Sequence, residues 1–133
     1  MAFSALAIVL VITQYLIFVL LTARARVRYS IKAPATVGHP VFERTYRVQM
    51  NTLELLIIVV PGIWLMGLFV DPYWLSPLLG VLFAVARLIY CVTYIRNPTS
   101  RGFGVAMSFL VAGLFIVCSA YGAIAEILYS LNH

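Results

Sequence analysis

The chain has 133 residues, of which 64% are hydrophobic and only 10% are charged, and its formal net charge is +5. A water-soluble domain of this size needs far more polar surface to cover its core, so the composition excludes one and indicates a protein embedded in a bilayer. The basic residues are too sparse to form a nucleic-acid-binding surface, and we expect no nucleic-acid partner.

Four long apolar stretches predict four transmembrane helices. Two of them carry no charge, one carries only Glu54, and one carries only Arg87. Each is long enough to cross a hydrocarbon core that requires roughly 20 apolar residues in a helix. Because lipid offers the backbone no hydrogen bonds, each span must be helical. We therefore predict an all-α protein, a single domain over residues 1–133 folded as an up-down four-helix bundle. The predicted spans are residues 2–23, 48–70, 72–95 and 102–125.

The basic residues lie in two of the three predicted loops. The first loop, about residues 25–43, is the only long connection, and six basic residues lie in it or beside it. The second loop contains only the acidic Asp71. Since short cytoplasmic loops are rich in Lys and Arg, loops one and three are predicted to face the cytoplasm, with both termini on the opposite side. The basic residues of loops one and three are Arg24, Arg26, Arg28, Lys32, Arg44, Arg47, Arg96 and Arg101.

Helix two is predicted to begin with a polar face. Arg47, Asn51 and Glu54 follow one another at spacings of four and three residues, so their side chains share one side of the helix. Ionisable residues inside a span are costly and commonly mark function. This face is therefore a candidate site near the cytoplasmic surface.

Helix three carries a matching face formed by Arg87, Tyr90 and Tyr94. Glu54 lies roughly 10 Å, and Arg87 roughly 13 Å, from the cytoplasmic end of its helix at the rise of an α-helix. The similar depths predict a Glu54–Arg87 ion pair. A pair of this kind can also serve only to fix helix packing, and the tyrosines alone are also consistent with an interfacial aromatic belt. Together with Arg101, the two faces favour a site for a small anionic or zwitterionic ligand.

Two segments resemble the signature blocks of the MAPEG superfamily (membrane-associated proteins in eicosanoid and glutathione metabolism). The segment FERTYRVQMNTLE at residues 42–54 contains the pattern Arg-x-x-x-Asn-x-x-Glu. The segment ARLIYCVTY at residues 86–94, followed by Arg101, resembles the second block, Arg-x-x-Tyr-x-x-x-Tyr with a later basic residue. The resemblance extends to the number of spans and to the loop charges, and it covers nearly the whole chain.

The resemblance implies a homotrimer that binds glutathione between neighbouring subunits, as a co-substrate and without a metal. Arg101 would face the sulfur of glutathione as the catalytic residue. Gln49 and either Arg24 or Arg28 would come from an adjacent subunit. The other predicted glutathione-binding residues are Arg47, Asn51, Glu54, Arg87, Tyr90 and Tyr94.

At two positions the chain differs from the leukotriene-conjugating members of the family. Leu55 stands where the leukotriene-conjugating members carry a tyrosine, and Ile89 stands where they carry an arginine. The chain therefore resembles the microsomal glutathione transferase branch more closely. Because that branch is often found in bacteria, we expect a bacterial inner membrane rather than the endoplasmic reticulum.

The predicted function is a membrane glutathione transferase or peroxidase. It would activate glutathione as a thiolate and either conjugate it to a lipophilic electrophile or use it to reduce a lipid hydroperoxide. One alternative is a non-enzymatic lipid-binding protein of the same fold, which has no need of a cation such as Arg101 at the sulfur. Another is a small multidrug transporter, but proton coupling would require an acidic residue in helix one, and residues 2–23 contain none.

Overall fold

The structure, a computed structural model, describes residues 1–132 and contains four long α-helices. A short 3-10 helix, η1, precedes the last of them. Each long helix is long and apolar enough to cross a membrane, and residues 1–132 contain no strand. The predicted all-α four-helix fold is confirmed. The elements are α1 (Ala2–Arg28), α2 (Pro40–Phe69), α3 (Leu75–Arg96), η1 (Pro98–Arg101) and α4 (Gly102–Leu131).

The helix α2 begins at Pro40, well before the predicted start of its span at residue 48. Proline is favoured in the first turn because its missing N–H needs no partner there. The Nδ1 atom of His39 accepts the Val41 N–H at 3.2 Å, and Glu43 accepts the Gly38 N–H at 2.9 Å. The predicted loop was therefore too long, because hydropathy delimits the part of a helix inside the membrane and not the helix itself.

Helices α2 and α3 form the centre of the bundle. They contact each other, and each also contacts both α1 and α4. Helices that follow one another in the chain therefore pack against one another. All four helices contribute to the main apolar core, in which Val59, Ile63, Phe83 and Phe115 are fully buried.

Polar side chains join the helices inside the apolar region. Ser76 of α3 donates to the Ile63 carbonyl of α2 at 2.7 Å, and Gln14 of α1 donates to the Ala84 carbonyl of α3 at the same distance. Lipid tails are as apolar as leucine, so burial of apolar surface alone drives helix association weakly in a bilayer. Close packing and interhelical hydrogen bonds of this kind must hold the bundle together.

The orientation in the membrane can be measured by cysteine labelling. In a background lacking Cys91 and Cys118, the variants Val37→Cys and Asn97→Cys place reporters on exposed positions of loops one and three. Tyr73→Cys places a control reporter in the exposed second connection. A membrane-impermeant thiol reagent applied to intact cells should label only the Tyr73→Cys variant, whereas all three variants should react after permeabilisation. Labelling of either loop reporter on intact cells would reverse the predicted topology.

Candidate functional site

A cleft of about 410 Å³ lies between the first half of α2, the middle of α3 and the start of α4. Arg47 and Glu54 are exposed at its rim, and Tyr90 forms a buried wall. Val105 and Phe109 of α4 give the cleft an apolar side. The structure thus brings together part of the predicted site in one place. The predicted residues that line the cleft are Arg47, Asn51, Glu54, Tyr90 and Arg101.

The position of Arg101 is set by the turn that precedes it. The Asn97 side chain accepts hydrogen bonds from the N–H and the hydroxyl of Thr99, at 3.1 and 2.8 Å. Ser100 donates its hydroxyl to the carbonyls of Asn97 and Thr93, at 2.8 and 3.0 Å. The turn is therefore tied to the end of α3, and Arg101 projects from the junction with α4.

A glycine allows α4 to lie directly against α3 beside the cleft. A Cβ atom placed on Gly104 would be 2.7 Å from the Cα atom of Tyr90 and 2.8 Å from its backbone nitrogen. Backbone atoms cannot swing away as a flexible side chain can, so any larger residue must push the two helices apart. The distance between Arg101 and the tyrosine wall thus depends on this close approach.

Arg87 is fully buried behind the cleft wall, among neutral oxygen atoms of α2 and α4. Its Nη1 group donates to Asn51 Oδ1 at 3.0 Å and to Ser108 Oγ at 3.4 Å. Its Nη2 group donates to Thr52 Oγ1 at 2.8 Å and to the Val48 carbonyl at 3.4 Å, and Nε donates to Thr52 Oγ1 at 3.1 Å. A guanidinium has five N–H donors, and these five bonds use them all.

The predicted Glu54–Arg87 ion pair is wrong. Within residues 1–132 the guanidinium bonds only neutral oxygens, and Glu54 is exposed at the cleft. The depth argument placed both residues at a similar level but ignored direction around the helix axis. Val48 and Thr52, four residues apart, form the face of α2 that meets Arg87, whereas Glu54 points elsewhere. Arg87 is fully buried and all five of its donors are used within the chain, and its predicted part in binding glutathione stays a prediction.

Tyr94 lies just outside the cleft. Its ring stacks on that of Tyr90, with centroids 5.3 Å apart and planes inclined by 9°. Together with Arg47 it lines an adjoining cleft of about 520 Å³ beneath the first loop. The shared arginine makes the two clefts neighbours, so Tyr94 extends the polar surface toward the first loop.

Three predicted residues are not brought to the cleft within one chain. Arg24 and Arg28 line a separate cleft of about 320 Å³, beside Tyr29. Gln49 is partly buried and lines none of the clefts described above. The expected contribution of these residues from an adjacent subunit stays a prediction.

Four residues that line the cleft or accept hydrogen bonds from Arg87 were not predicted from the sequence. Val105 and Phe109 follow Arg101 at successive spacings of four, which would have placed them on the same side of α4. Thr52 and Ser108 are buried polar residues within apolar spans, and intramembrane polarity is a usable signal. Across residues 1–132 no group of three or more potential metal-ligating side chains occurs.

These features define an integral multi-pass membrane protein with an arginine-lined cleft at one end of a four-helix bundle. The sequence model of the MAPEG family matches residues 4–121, and the chain belongs to that family. The predicted resemblance is confirmed.

Relatives with different names match most of the chain. An uncharacterized protein of Synechocystis sp. is 36% identical over 118 residues, covering 89% of this chain and 82% of the relative. Leukotriene C4 synthase of Bos taurus is 31% identical over 111 residues, covering 84% and 73%. Microsomal glutathione S-transferase 2 of Homo sapiens is 29% identical over 105 residues, covering 79% and 71%.

The close approach at Gly104 can be tested by adding one methyl group. Gly104→Ala should destabilise the protein by about 1–3 kcal/mol, the usual cost of overpacking, because the methyl group meets backbone atoms. Gly113→Ala in the same helix is the matched control, since nothing lies within 4 Å of its added Cβ. The control should be neutral or slightly stabilising because alanine favours a helix. Equal thermal stability of the two variants in detergent would show that α3 and α4 do not touch here.

The hydrogen bonds of Arg87 predict which residues are coupled to it. Thr52→Val leaves two buried N–H groups of Arg87 without a partner and should lower the free energy of unfolding by about 2 kcal/mol. In an Arg87→Leu background, where those donors are absent, the same change should cost much less. Glu54→Gln should be coupled to Arg87 far more weakly than Thr52→Val is, because Glu54 is connected to Arg87 only through Asn51. Strong coupling of Arg87 to Glu54, with none to Thr52, would restore the direct ion pair.

Proposed function

We propose that this chain is a membrane-bound glutathione transferase or peroxidase. It activates glutathione as a thiolate and either conjugates it to a lipophilic electrophile or uses it to reduce lipid hydroperoxides. The observation that carries the proposal is the cleft in which Arg47, Asn51, Glu54 and Arg101 surround an opening with an apolar side. Family membership and relatives named as glutathione S-transferase and leukotriene C4 synthase support it.

The charges of the cleft match those of glutathione. The tripeptide carries two carboxylates and one ammonium group. Arg47 and the amide of Asn51 offer donors to a carboxylate, and Glu54 offers an acceptor to the ammonium. Tyr90 forms a wall of the cleft and Tyr94 stacks on it from the adjoining cleft, so their ring faces and hydroxyl groups are available to the peptide. The same residues would bind a purely anionic ligand less well, because Glu54 would repel it.

Arg101 is the residue that can activate the sulfur. It is exposed, and none of its donors is hydrogen-bonded within residues 1–132. Each unit by which the pKa of a bound thiol falls requires about 1.36 kcal/mol. A guanidinium about 4 Å away supplies roughly 4 kcal/mol at an effective dielectric constant of about 20, so one arginine suffices if water is kept out.

The apolar side of the cleft is suited to the second substrate. Val105 and Phe109 continue from Arg101 along α4 into the apolar span, so an acceptor dissolved in lipid reaches the sulfur from within the membrane. In conjugation the thiolate forms a carbon–sulfur bond, and the acceptor takes up a proton or loses its leaving group. In peroxide reduction the thiolate attacks the terminal oxygen and the O–O bond breaks, which gives a sulfenic acid and an alkoxide that takes up a proton to leave as the alcohol. A second glutathione then displaces the hydroxyl group of the sulfenic acid as water and forms the disulfide.

A homotrimer would close the site. In one chain the cleft is open and Arg101 is exposed, so water would screen its charge. We propose that a neighbouring subunit covers the cleft and supplies Gln49 and Arg24 or Arg28, which do not reach the cleft of their own chain. The cleft faces the cytoplasm in the proposed topology. The relative from Synechocystis sp. supports a bacterial inner membrane.

Calorimetric titration with glutathione, combined with ultraviolet absorbance of the thiolate, tests the proposal. The parent protein should bind glutathione and form thiolate at neutral pH. Arg101→Leu should still bind it through Arg47, Asn51 and Glu54, yet lose the thiolate signal and most of its turnover. Arg96→Leu, a change at an exposed arginine outside the cleft, is the control and should behave like the parent.

Two results would contradict this function. If the parent protein shows no heat of binding with glutathione, the ligand is wrong. If Arg101→Leu forms thiolate as readily as the parent, Arg101 is only a surface charge and the proposed activation fails.

A further inference from the structure

We propose that Arg87 is a positioning residue that sets the polarity of the glutathione site by fixing the orientation of the Asn51 amide. Through that amide it holds the Glu54 carboxylate in place for the ammonium group of the ligand. The proposal rests on the proposed function, and it assigns to Arg87 a role in ligand selectivity without contact with the ligand.

The orientation of Asn51 follows from the chemistry of its buried neighbour. A guanidinium has donors and no acceptor, so only the amide oxygen of Asn51 can face it. The structure has that arrangement, with Arg87 Nη1 donating to Asn51 Oδ1 at 3.0 Å. The NH2 group must then point outward, where Nδ2 lies 3.4 Å from Glu54 Oε2.

This orientation matters because the two ends of an amide have opposite polarity. With the NH2 group outward, one N–H is directed at Glu54 and the other is available to a carboxylate of the ligand. With the amide reversed, an oxygen would lie beside the Glu54 carboxylate and repel both it and an incoming carboxylate. The fixed amide therefore favours an amino-acid head group in which a carboxylate and an ammonium lie side by side, as at the γ-glutamyl end of glutathione.

The guanidinium is also held by contacts that do not involve the amide. Thr52 accepts two of its N–H groups, and the Tyr90 ring lies 4.3 Å from its central carbon. Arg87 is fully buried. A buried donor left without a partner is costly, so the guanidinium holds the amide oxygen.

The charge of Arg87 and its hydrogen bond predict opposite effects on the ligand. A buried cation repels a nearby ammonium group, so its removal should strengthen ammonium binding if charge were its only role. If Arg87 acts by orienting Asn51, its removal should weaken ammonium binding. The sign of the change therefore separates the two roles.

The test compares glutathione with its des-amino analogue, in which hydrogen replaces the γ-glutamyl ammonium group. The parent should bind glutathione more tightly by a factor on the order of ten, as expected for one charge-assisted hydrogen bond. Arg87→Gln should bring this ratio toward one, because a glutamine amide both donates and accepts and no longer dictates how Asn51 is turned. A ratio that is unchanged or larger would overturn the proposal.

Matched variants separate the effect of the Asn51 amide orientation from a general loss of stability. Arg87→Lys keeps donors only and should retain most of the preference for glutathione. Thr52→Val should lower thermal stability but leave the ratio unchanged, since it does not alter the Asn51 contact. If Thr52→Val loses the preference for glutathione as fully as Arg87→Gln does, any loosening of α2 abolishes that preference. This result would overturn the proposal.

A second variant covers the case in which Arg87→Gln does not fold. Asn51→Ser carries a hydroxyl too short to span Arg87 and Glu54 and should lose the preference in the same way. If that variant still prefers glutathione to the des-amino analogue, Arg87 does not act through Asn51 and the proposal is overturned. Failure of the proposed function is distinguishable, because it would appear as no binding of either ligand by the parent.

Discussion

The buried guanidinium of Arg87 is the constraint on which the half of the bundle that contains the cleft depends. A charged side chain inside a membrane span costs roughly 2.5–3.5 kcal/mol on insertion scales, and every donor left unpaired adds to that cost. Here oxygens of Val48, Asn51 and Thr52 on α2 and of Ser108 on α4 accept all five donors. The side chain of Arg87 thus joins α2, α3 and α4, because a shift of any of these helices would leave one of its N–H groups without a partner.

The same contacts extend from the interior to the cleft. Ser108, an acceptor for Arg87, donates its own hydroxyl to the Gly104 carbonyl at 2.6 Å. Gly104 lies against the backbone of Tyr90, so α4 and α3 approach closely at this point. Arg101 begins the same stretch of chain, at the junction of η1 and α4. The inner wall of the cleft and the arginine at its rim are therefore positioned by one connected set of contacts.

The sequence predicted the features that depend on composition and on helical periodicity. It failed where the outcome depends on which sides of two helices face each other. An all-α fold with four long apolar helices follows from the scarcity of charge along the chain, and the structure confirms it. The shared face of Arg47, Asn51 and Glu54 follows from helical spacing, and these residues do line one cleft. The partner of Arg87 could not be found in this way. Depth along two helices says nothing about which sides of them meet, and a threonine hydroxyl carries no charge to signal its role.

Arg87 and Arg101 differ in the number of N–H donors that are left unpaired. Arg87 is fully buried and spends every N–H on protein oxygens, so its contribution is to fix the shape and polarity of what surrounds it. Arg101 is exposed and spends none within residues 1–132, so its charge is available to whatever enters the cleft. Burial of a cation in a membrane protein is therefore a poor guide to chemistry by itself. The donors that remain unpaired at a cavity show where an anion can be stabilised, and at this cleft they belong to Arg47 on α2 and to Arg101 at the end of η1.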